Sequence, residues 1–253
     1  MKFRRTRLLG AALITMAVSA SLAPVSGATA STPAESPIDI VTVSSTPDTR
    51  DLAPSYNIAT QTVTMEYKSK GSCTARQADE DIHGKANGTA TWDKSIQFDG
   101  VDYVFQEIHY HATAEHEVSG ANRGAEAHLV HKNAAGDYLV LAVHLTDGGA
   151  TGSEHDKLIT SSPPTECGGS ANRTGVSLRG LLPTDVDRSW RYVGSLTTPL
   201  GGPYLQPVQW VVFKDTMTVQ TSTWNALRGI WSGLTNHNSK PHTADTPVIT
   251  QYP

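Results

Sequence analysis

Tyr103-Val-Phe-Gln-Glu-Ile-His-Tyr-His111 and Glu126-Ala-His-Leu-Val-His131 are the two stretches that decide the fold and the chemistry of this chain. Both read as strands: short runs of apolar and aromatic residues with polar residues interleaved. On a strand, residues two apart share a face, so Glu107, His109 and His111 line one side. The same rule puts Glu126 and His128 on a common face. If the strands are neighbours, the imidazoles of His109, His111 and His128 converge, with carboxylates beside them. Three nitrogen donors and an open fourth position are the ligand set of a catalytic zinc site. A ligating imidazole also hands its second N–H to an acceptor that fixes its tautomer, which gives the carboxylates a purpose. The competing interpretation is ordinary cross-strand pairing on a solvated face. A lone H-x-H does not separate the two, whereas the added E-x-H favours the metal.

Outward from this pair, strand-like runs occupy 62–67, 95–98, 138–145 and 210–214, separated by turn residues such as Asp99-Gly100 and Ala135-Gly136. Helical periodicity is confined to short pieces, the best at 222–231. Residues 148–174 read as a long loop, and 31–54, rich in Ser, Thr and Pro, as an extended lead-in. These elements predict one domain dominated by β-structure. The 253 residues, 38% hydrophobic and 17% charged, suffice for one substantial core and exclude collagen, coiled coil and gross disorder. With 20 Lys+Arg against 24 Asp+Glu there is no basic excess to neutralise phosphates, so nucleic acid is not an expected partner. No apolar run reaches the roughly 18 residues of a membrane span. No pattern in the sequence sets the oligomeric state.

Residues 1–30 read as a signal peptide. Lys2, Arg4, Arg5 and Arg7 form a basic block, 8–17 is apolar and uncharged, and Ala28-Thr29-Ala30 suits a signal peptidase. The Arg4-Arg5 pair is a loose match to twin-arginine export. Removing four positive charges and no negative ones takes the net charge from −4 to −8. The chain is therefore expected to be secreted or extracytoplasmic, with residues 31–253 as the functional domain. Two cysteines remain, Cys73 and Cys167. In an oxidising compartment the expectation is a structural disulfide, contributing about 4 kcal/mol by the loop-entropy model. A thiolate metal pair is the weaker reading, because no C-x-x-C is present.

His109-x-His111-x-x-x-Glu115, followed by Gly120, resembles the first cupin motif, but 121–210 lacks the second. A resemblance to the α-class carbonic anhydrases runs over most of the chain after residue 30, in order. Ser36-Pro-Ile-Asp-Ile40 resembles the family's QSPIDI opening, with Glu35 in place of Gln. Tyr103 to His111 resembles Y-x-L-x-Q-F-H-F-H, Glu115-His116 the S-E-H that follows, and Glu126 to His131 matches E-L-H-L-V-H with one change. Leu181-Leu-Pro183, Trp190-Arg-Tyr-Val-Gly-Ser-Leu-Thr-Thr-Pro199 and Trp210-Val-Val-Phe-Lys214 resemble the L-L-P, Y-x-Y-x-G-S-L-T-T-P and W-x-V-L-K segments.

The resemblance implies a mainly β fold with short helices around a large, mostly antiparallel central sheet. It implies Zn2+ held by His109, His111 and His128, and reversible hydration of carbon dioxide to bicarbonate by a zinc-bound hydroxide. Thr197 would accept a hydrogen bond from that hydroxide and pass one to Glu115. Glu126 would support His128, and Glu107 stands where the family has a supporting Gln, with Gln106 shifted by one. Val130, Val140, Leu196, Val208 and Trp210 would form the carbon dioxide pocket, with Thr198 at its edge. The family's shuttle histidine is replaced by Thr89, which leaves His83 as the candidate proton shuttle and predicts dependence on added buffer. His116, His131 and His144 read as core or supporting groups, and His155, His237 and His242 as surface residues. Two segments depart further. No W-x-Y or G-P-x-x-W stretch precedes Ser36, and 200–207 reads Leu-Gly-Gly-Pro-Tyr-Leu-Gln-Pro where relatives have P-P-C-T-E-G. The late N-x-R segment is blurred at Asn238-Ser-Lys240. The alternative reading is a non-catalytic zinc-binding relative, whose usual mark, a lost ligand, is missing here.

Overall fold

The computed structural model describes residues 33–56, 60–69, 81–87, 95–149, 152–198, 204–205, 207–235 and 237–252. Its main strands are β1 (Gln61–Lys68), β2 (Asp81–Ala86), β3 (Ser95–Phe98), β4 (Val101–His111), β5 (Ala125–Asn133), β6 (Tyr138–Asp147), β7 (Ala171–Val176), β8 (Ser189–Gly194) and β9 (Val208–Phe213). Two helices, α1 (Glu154–Ile159) and α2 (Thr221–Ile230), accompany them. Among the described residues the sheet has 12 strands and runs β7–β1–β2–β4–β5–β6–β9–β8 with Thr250–Gln251 at its end. Leu52–Ala53 and β3 extend it beside β4, and Met217–Val219 pairs with β6. Within this sheet pairing is antiparallel except where β6 meets β9 and Met217–Val219, which run parallel to it. The expected mainly-β fold with a large, mostly antiparallel sheet is therefore what forms. No helix among the described residues is long and apolar enough to cross a membrane.

Local chemistry sets the register. Asp99 and Gly100 both adopt positive φ, 53° and 72°, the requirement of a two-residue I′ hairpin turn, and Phe98 duly faces Val101. Across β4 and β5, His109 faces His128 and His111 faces Glu126. The ladder slips between Phe105 and Glu107, so Gln106 is the extra residue of a bulge. That bulge turns Phe105 to the same side as Ile108 and Tyr110, in the main core, while Glu107 stays with the histidines.

The sheet has two unequal apolar sides. On one, Ile108, Tyr110, Leu129, Leu141, Val211 and Phe213 pack with Leu158 of α1 and Leu227 of α2. Each such fully buried side chain contributes about 1.5–3 kcal/mol. On the other, Val130, Val140, Val208, Trp210 and Tyr192 form a smaller cluster from which the histidines project.

Residues 148–174 are not one long loop. Ser153 Oγ accepts the Asp156 N–H while the Asp156 carboxylate accepts the Ser153 N–H, a capping box that starts α1, and β7 begins at Ala171. His155, expected at the surface, is instead fully buried on α1. Its Nε2 donates to the Leu181 carbonyl at 3.1 Å and its Nδ1 accepts from the Tyr110 hydroxyl at 3.0 Å. Cys73, Thr89 and residues 199–203 lie outside the described residues.

Candidate metal centre

His109 and His111 come from β4 and His128 from β5, all three nearly or fully buried. Each faces an acceptor oxygen at its other nitrogen, and for His128 and His111 a hydrogen bond forms there. His128 Nε2 donates to Glu126 Oε1 at 2.8 Å. His109 Nδ1 faces Glu107 Oε1 at 3.5 Å, an ion-pair distance. His111 Nδ1 faces the Asn238 carbonyl at 3.4 Å and Glu115 Oε1 at 3.3 Å. Acceptors on that side put the protons there, so His109 Nε2, His111 Nε2 and His128 Nδ1 are bare and point inward. One nitrogen from each ring lies within 4.8 Å of the others, and His128 Nδ1 is 3.2 Å from His109 Nε2. Two ligands at zinc's usual bond length and tetrahedral angle stand about 3.3 Å apart. His111 Nε2 is buried with no partner in the protein. Bare nitrogens packed this closely fit a cation between them.

The electrostatics of His111 and His128 favour the same state. Burial pushes the pKa values of His111 and His128 down, which keeps both rings neutral and able to ligate. Burial also acts to lower His109, but the Glu107 and Asp81 carboxylates outweigh it and raise it. Burial would raise Glu107, yet the nearby His109 ring brings it down to about 2. Glu126 is ionised: burial opposes its charge, and His116 and His128 overcome that to hold it well below the usual range.

Around the histidines lies a supporting network. Glu126 Oε2 accepts the N–H groups of Glu115 and His116 at 2.9 and 2.8 Å, and its Oε1 accepts from His116 Nδ1 at 2.7 Å. His116 Nε2 is 2.7 Å from the Tyr192 hydroxyl, which is 2.9 Å from Ser36 Oγ. Gly194 makes room for Ser36, because a Cβ there would overlap Ser36 Oγ and the Tyr192 ring. Glu115 Oε1 accepts the Lys240 N–H at 2.7 Å, and its Oε2 is buried without a partner. The group His116, Glu126 and His128 also has the spacing of a metal site, but short hydrogen bonds already engage its donors.

A cavity of about 200 Å³ opens beside the rings, lined by Val130, Val140, Leu196, Thr197, Thr198 and Trp210, with His109, His128, Glu107 and Lys68 among its other walls. Val208 is fully buried in the apolar cluster behind that wall. Gln106 also lines it, as do Lys68 and Tyr138, which the sequence reading missed. Strand parity could have found Lys68, which pairs with Asp81 across β1 and β2. His83, the candidate shuttle, sits on β2 opposite His109, 3% exposed, with Nε2 2.6 Å from Glu66 and Nδ1 3.4 Å from Asp81. His116, His131 and His144 are buried, while His242 is at the surface.

The comparisons with known proteins agree with this geometry. A family model described as eukaryotic-type carbonic anhydrase matches residues 24–246. A carbonic anhydrase of Klebsiella pneumoniae is 37% identical over 128 residues, 51% of this chain and 50% of that protein. One from Pectobacterium atrosepticum is 28% identical over 150 residues, 58% of each. The chain thus spans about half the length of the curated relatives it matches. The α-carbonic anhydrase of Photobacterium profundum superposes with a TM-score of 0.66 at 22% identity, covering 88% of this chain and 91% of that one. That of Thermovibrio ammonificans, solved with the inhibitor sulfanilamide, gives 0.65 at 25% identity over 86% and 87%. With most of its length matched by the family model and its buried histidines arranged around one point, this chain belongs to the eukaryotic-type, or α-class, carbonic anhydrase family.

Proposed function

We propose that this chain is an exported carbonic anhydrase that interconverts carbon dioxide and bicarbonate, with Zn2+ held by His109, His111 and His128. The observation that carries the reading is the convergence of three bare imidazole nitrogens at the end of a cavity with an apolar wall. Bound zinc supplies a water acidified to a pKa of about 7, a value taken from carbonic anhydrases themselves.

The chain's own residues do the rest. Val130, Val140, Leu196 and Trp210 give neutral, apolar carbon dioxide a surface with no competing hydrogen bonds, backed by Val208. Charged bicarbonate gains nothing there and returns to solvent. Glu115 Oε2, buried without a hydrogen-bond partner, calls for a donor, and the Thr197 hydroxyl in the cavity wall is assigned to it. With that proton committed, Thr197 Oγ can only accept, which selects a nucleophile that still carries a hydrogen. Thr198 borders the substrate. Glu126 and Glu107 keep the protons of His128 and His109 on their outer nitrogens. Hydration consumes one water and releases one proton. That proton is passed to buffer, with His83, beside the half-exposed Glu66, as the candidate shuttle. Export removes residues 1–30, residues 31–253 form the catalytic domain, and Cys73 and Cys167 are paired. Mass measurement of secreted protein with and without reductant checks the cleavage and the pairing.

The deciding experiment is stopped-flow carbon dioxide hydration by residues 31–253, with metal content determined on the same sample. Rapid hydration with about one zinc per chain, abolished by His128→Ala, establishes the reading. One zinc without hydration makes the protein a zinc-binding module, and no metal after zinc is supplied overturns the ligand set.

A further inference from the structure

Lys240 ties three distant parts of the chain to the candidate site. Its N–H donates to Glu115 Oε1 at 2.7 Å. Its ammonium donates to Glu35 Oε1 at 2.6 Å and to the Ser36 carbonyl at 2.7 Å, and lies 3.6 Å from the centroid of the Tyr204 ring. The side chain is only 17% exposed. Each partner leads back to the cavity. The Ser36 N–H donates to Ser195 Oγ at 2.9 Å, and Ser36 Oγ accepts the Ser195 N–H at 3.1 Å. Leu205, next to Tyr204, accepts the Leu196 N–H at 3.0 Å through its carbonyl, one residue before Thr197.

The need for such a clamp follows from the backbone. Residues 239–241 belong to no helix or strand, so no ladder aims the residue 240 amide. Asn238 is held through Ala112 and Tyr110, and Ser239 through its hydroxyl, which donates to the Thr113 carbonyl. The peptide that carries the 240 N–H is fastened at one end by Ser239 and at the other by the Lys240 side chain. That N–H in turn aims Glu115, whose other oxygen is bare. Fixing a lysine side chain costs up to about 2 kcal/mol of rotamer entropy. An ion pair, a charge-assisted bond to a carbonyl and a cation–π contact on one partly buried ammonium offset that cost. Lys240 and two of its partners depart from the pattern of the resemblance: Lys240 stands in for Arg, Glu35 for Gln, and Tyr204 lies in the rebuilt 200–207 stretch.

We propose that Lys240 is a positioning residue for carbon dioxide hydration: its clamped ammonium aims its own amide at Glu115 and fastens the segment that carries Thr197. The proposal rests on the functional reading above and deepens it. The test compares Lys240→Met, Lys240→Arg and Glu35→Leu for three properties: hydration at saturating buffer, zinc content, and exchange of the residue 240 amide by NMR. In Lys240→Met, kcat/KM falls about tenfold, the cost of a displacement well below 1 Å, with full zinc content. The 240 amide exchanges faster by at least about tenfold. Lys240→Arg restores both to within about twofold, because guanidinium keeps the charge and the donors. Glu35→Leu, at a half-exposed position where misfolding is not expected, moves both in the same direction by less. A folded, zinc-loaded Lys240→Met with unchanged kcat/KM and unchanged amide exchange overturns the proposal, and so does failure of arginine to rescue. If the unaltered protein hydrates no carbon dioxide, the functional reading fails by itself. Amide exchange in the same three variants then decides the clamp.

Discussion

Glu126→Gln changes one atom at the centre of the network, and the structure fixes what that atom does. The carboxylate accepts four hydrogen bonds: two backbone N–H groups at Oε2, and His116 Nδ1 and His128 Nε2 at Oε1. A glutamine of the same shape has one oxygen and one NH2. If the NH2 faces the two amides, two buried N–H donors lose their acceptors, at about 1–3 kcal/mol each. If it faces the imidazoles, His116 and His128 avoid a donor–donor contact only by moving their protons. The His128 proton then sits on Nδ1, the nitrogen turned toward His109. In the metal-free protein that tautomer is cheap. Binding zinc must reverse it and leave His128 Nε2–H against the Gln N–H, a penalty of about 1–3 kcal/mol that falls on metal affinity. The zinc Kd is therefore expected to rise about tenfold to a hundredfold, which matches the range for supporting residues of metal sites, carbonic anhydrase included. Chelator competition measures the affinity, and nitrogen chemical shifts of His128 report the tautomer. Zinc affinity within threefold of the unaltered protein, with the Nε2–H tautomer kept in the metal-free state, would refute the reasoning.

The other expectations can be checked separately. Thr197→Ala should keep its zinc and lower kcat/KM for hydration by about a hundredfold, the usual scale for one aligned polar group at a reacting centre; unchanged kcat/KM would remove Thr197 from the mechanism. Gly194→Ala should lower stability by about 1–3 kcal/mol through the overlap with Ser36 and Tyr192, read as a drop in thermal midpoint. His155, pushed down to about 4 by burial, is neutral in the fold and protonated when unfolded below its ordinary value of about 6.5. The unfolded state thus binds more protons between these values, and stability falls by about 3 kcal/mol as pH drops from 6.5 to 4, with no further loss below. His155→Gln can keep the bonds to Tyr110 and Leu181 without titrating, so urea unfolding at both pH values should show a smaller loss. An equal loss would count against His155 as a source, leaving it to the other buried histidines, such as His131, pushed down to about 3, which act with the same sign.

What the sequence revealed and what it hid divide by the range of the interactions. The ligand set was legible because two-residue alternation is a property of each strand alone, and one assumption, that β4 and β5 are neighbours, brought His109, His111 and His128 together. The bulge was not legible. Alternation carried through Gln106 would place Phe105 beside the histidines, and only the pairing with β5 shows that an extra residue turns it into the core. Helix α1 was hidden by its length. Six residues are too few for a helical period, and Ser153-x-x-Asp156 was the one local sign of it. His155 reads as a surface residue because its neighbours are polar, yet its carbonyl partner lies 26 residues away. Lys240 is the extreme case, with partners 125 and 205 positions distant. A lysine among Ser, Asn and Pro carries no local mark of burial. Only the closing of the N-terminal segment against the 238–240 turn converts it from a solvated charge into a clamp. The metal ligands are thus written into two local strands, whereas the groups that aim Glu115 exist only after the chain ends have met. Substitutions at Lys240 or Glu35 should accordingly disturb the site while leaving the β4–β5 ladder, and the three imidazoles it carries, in register.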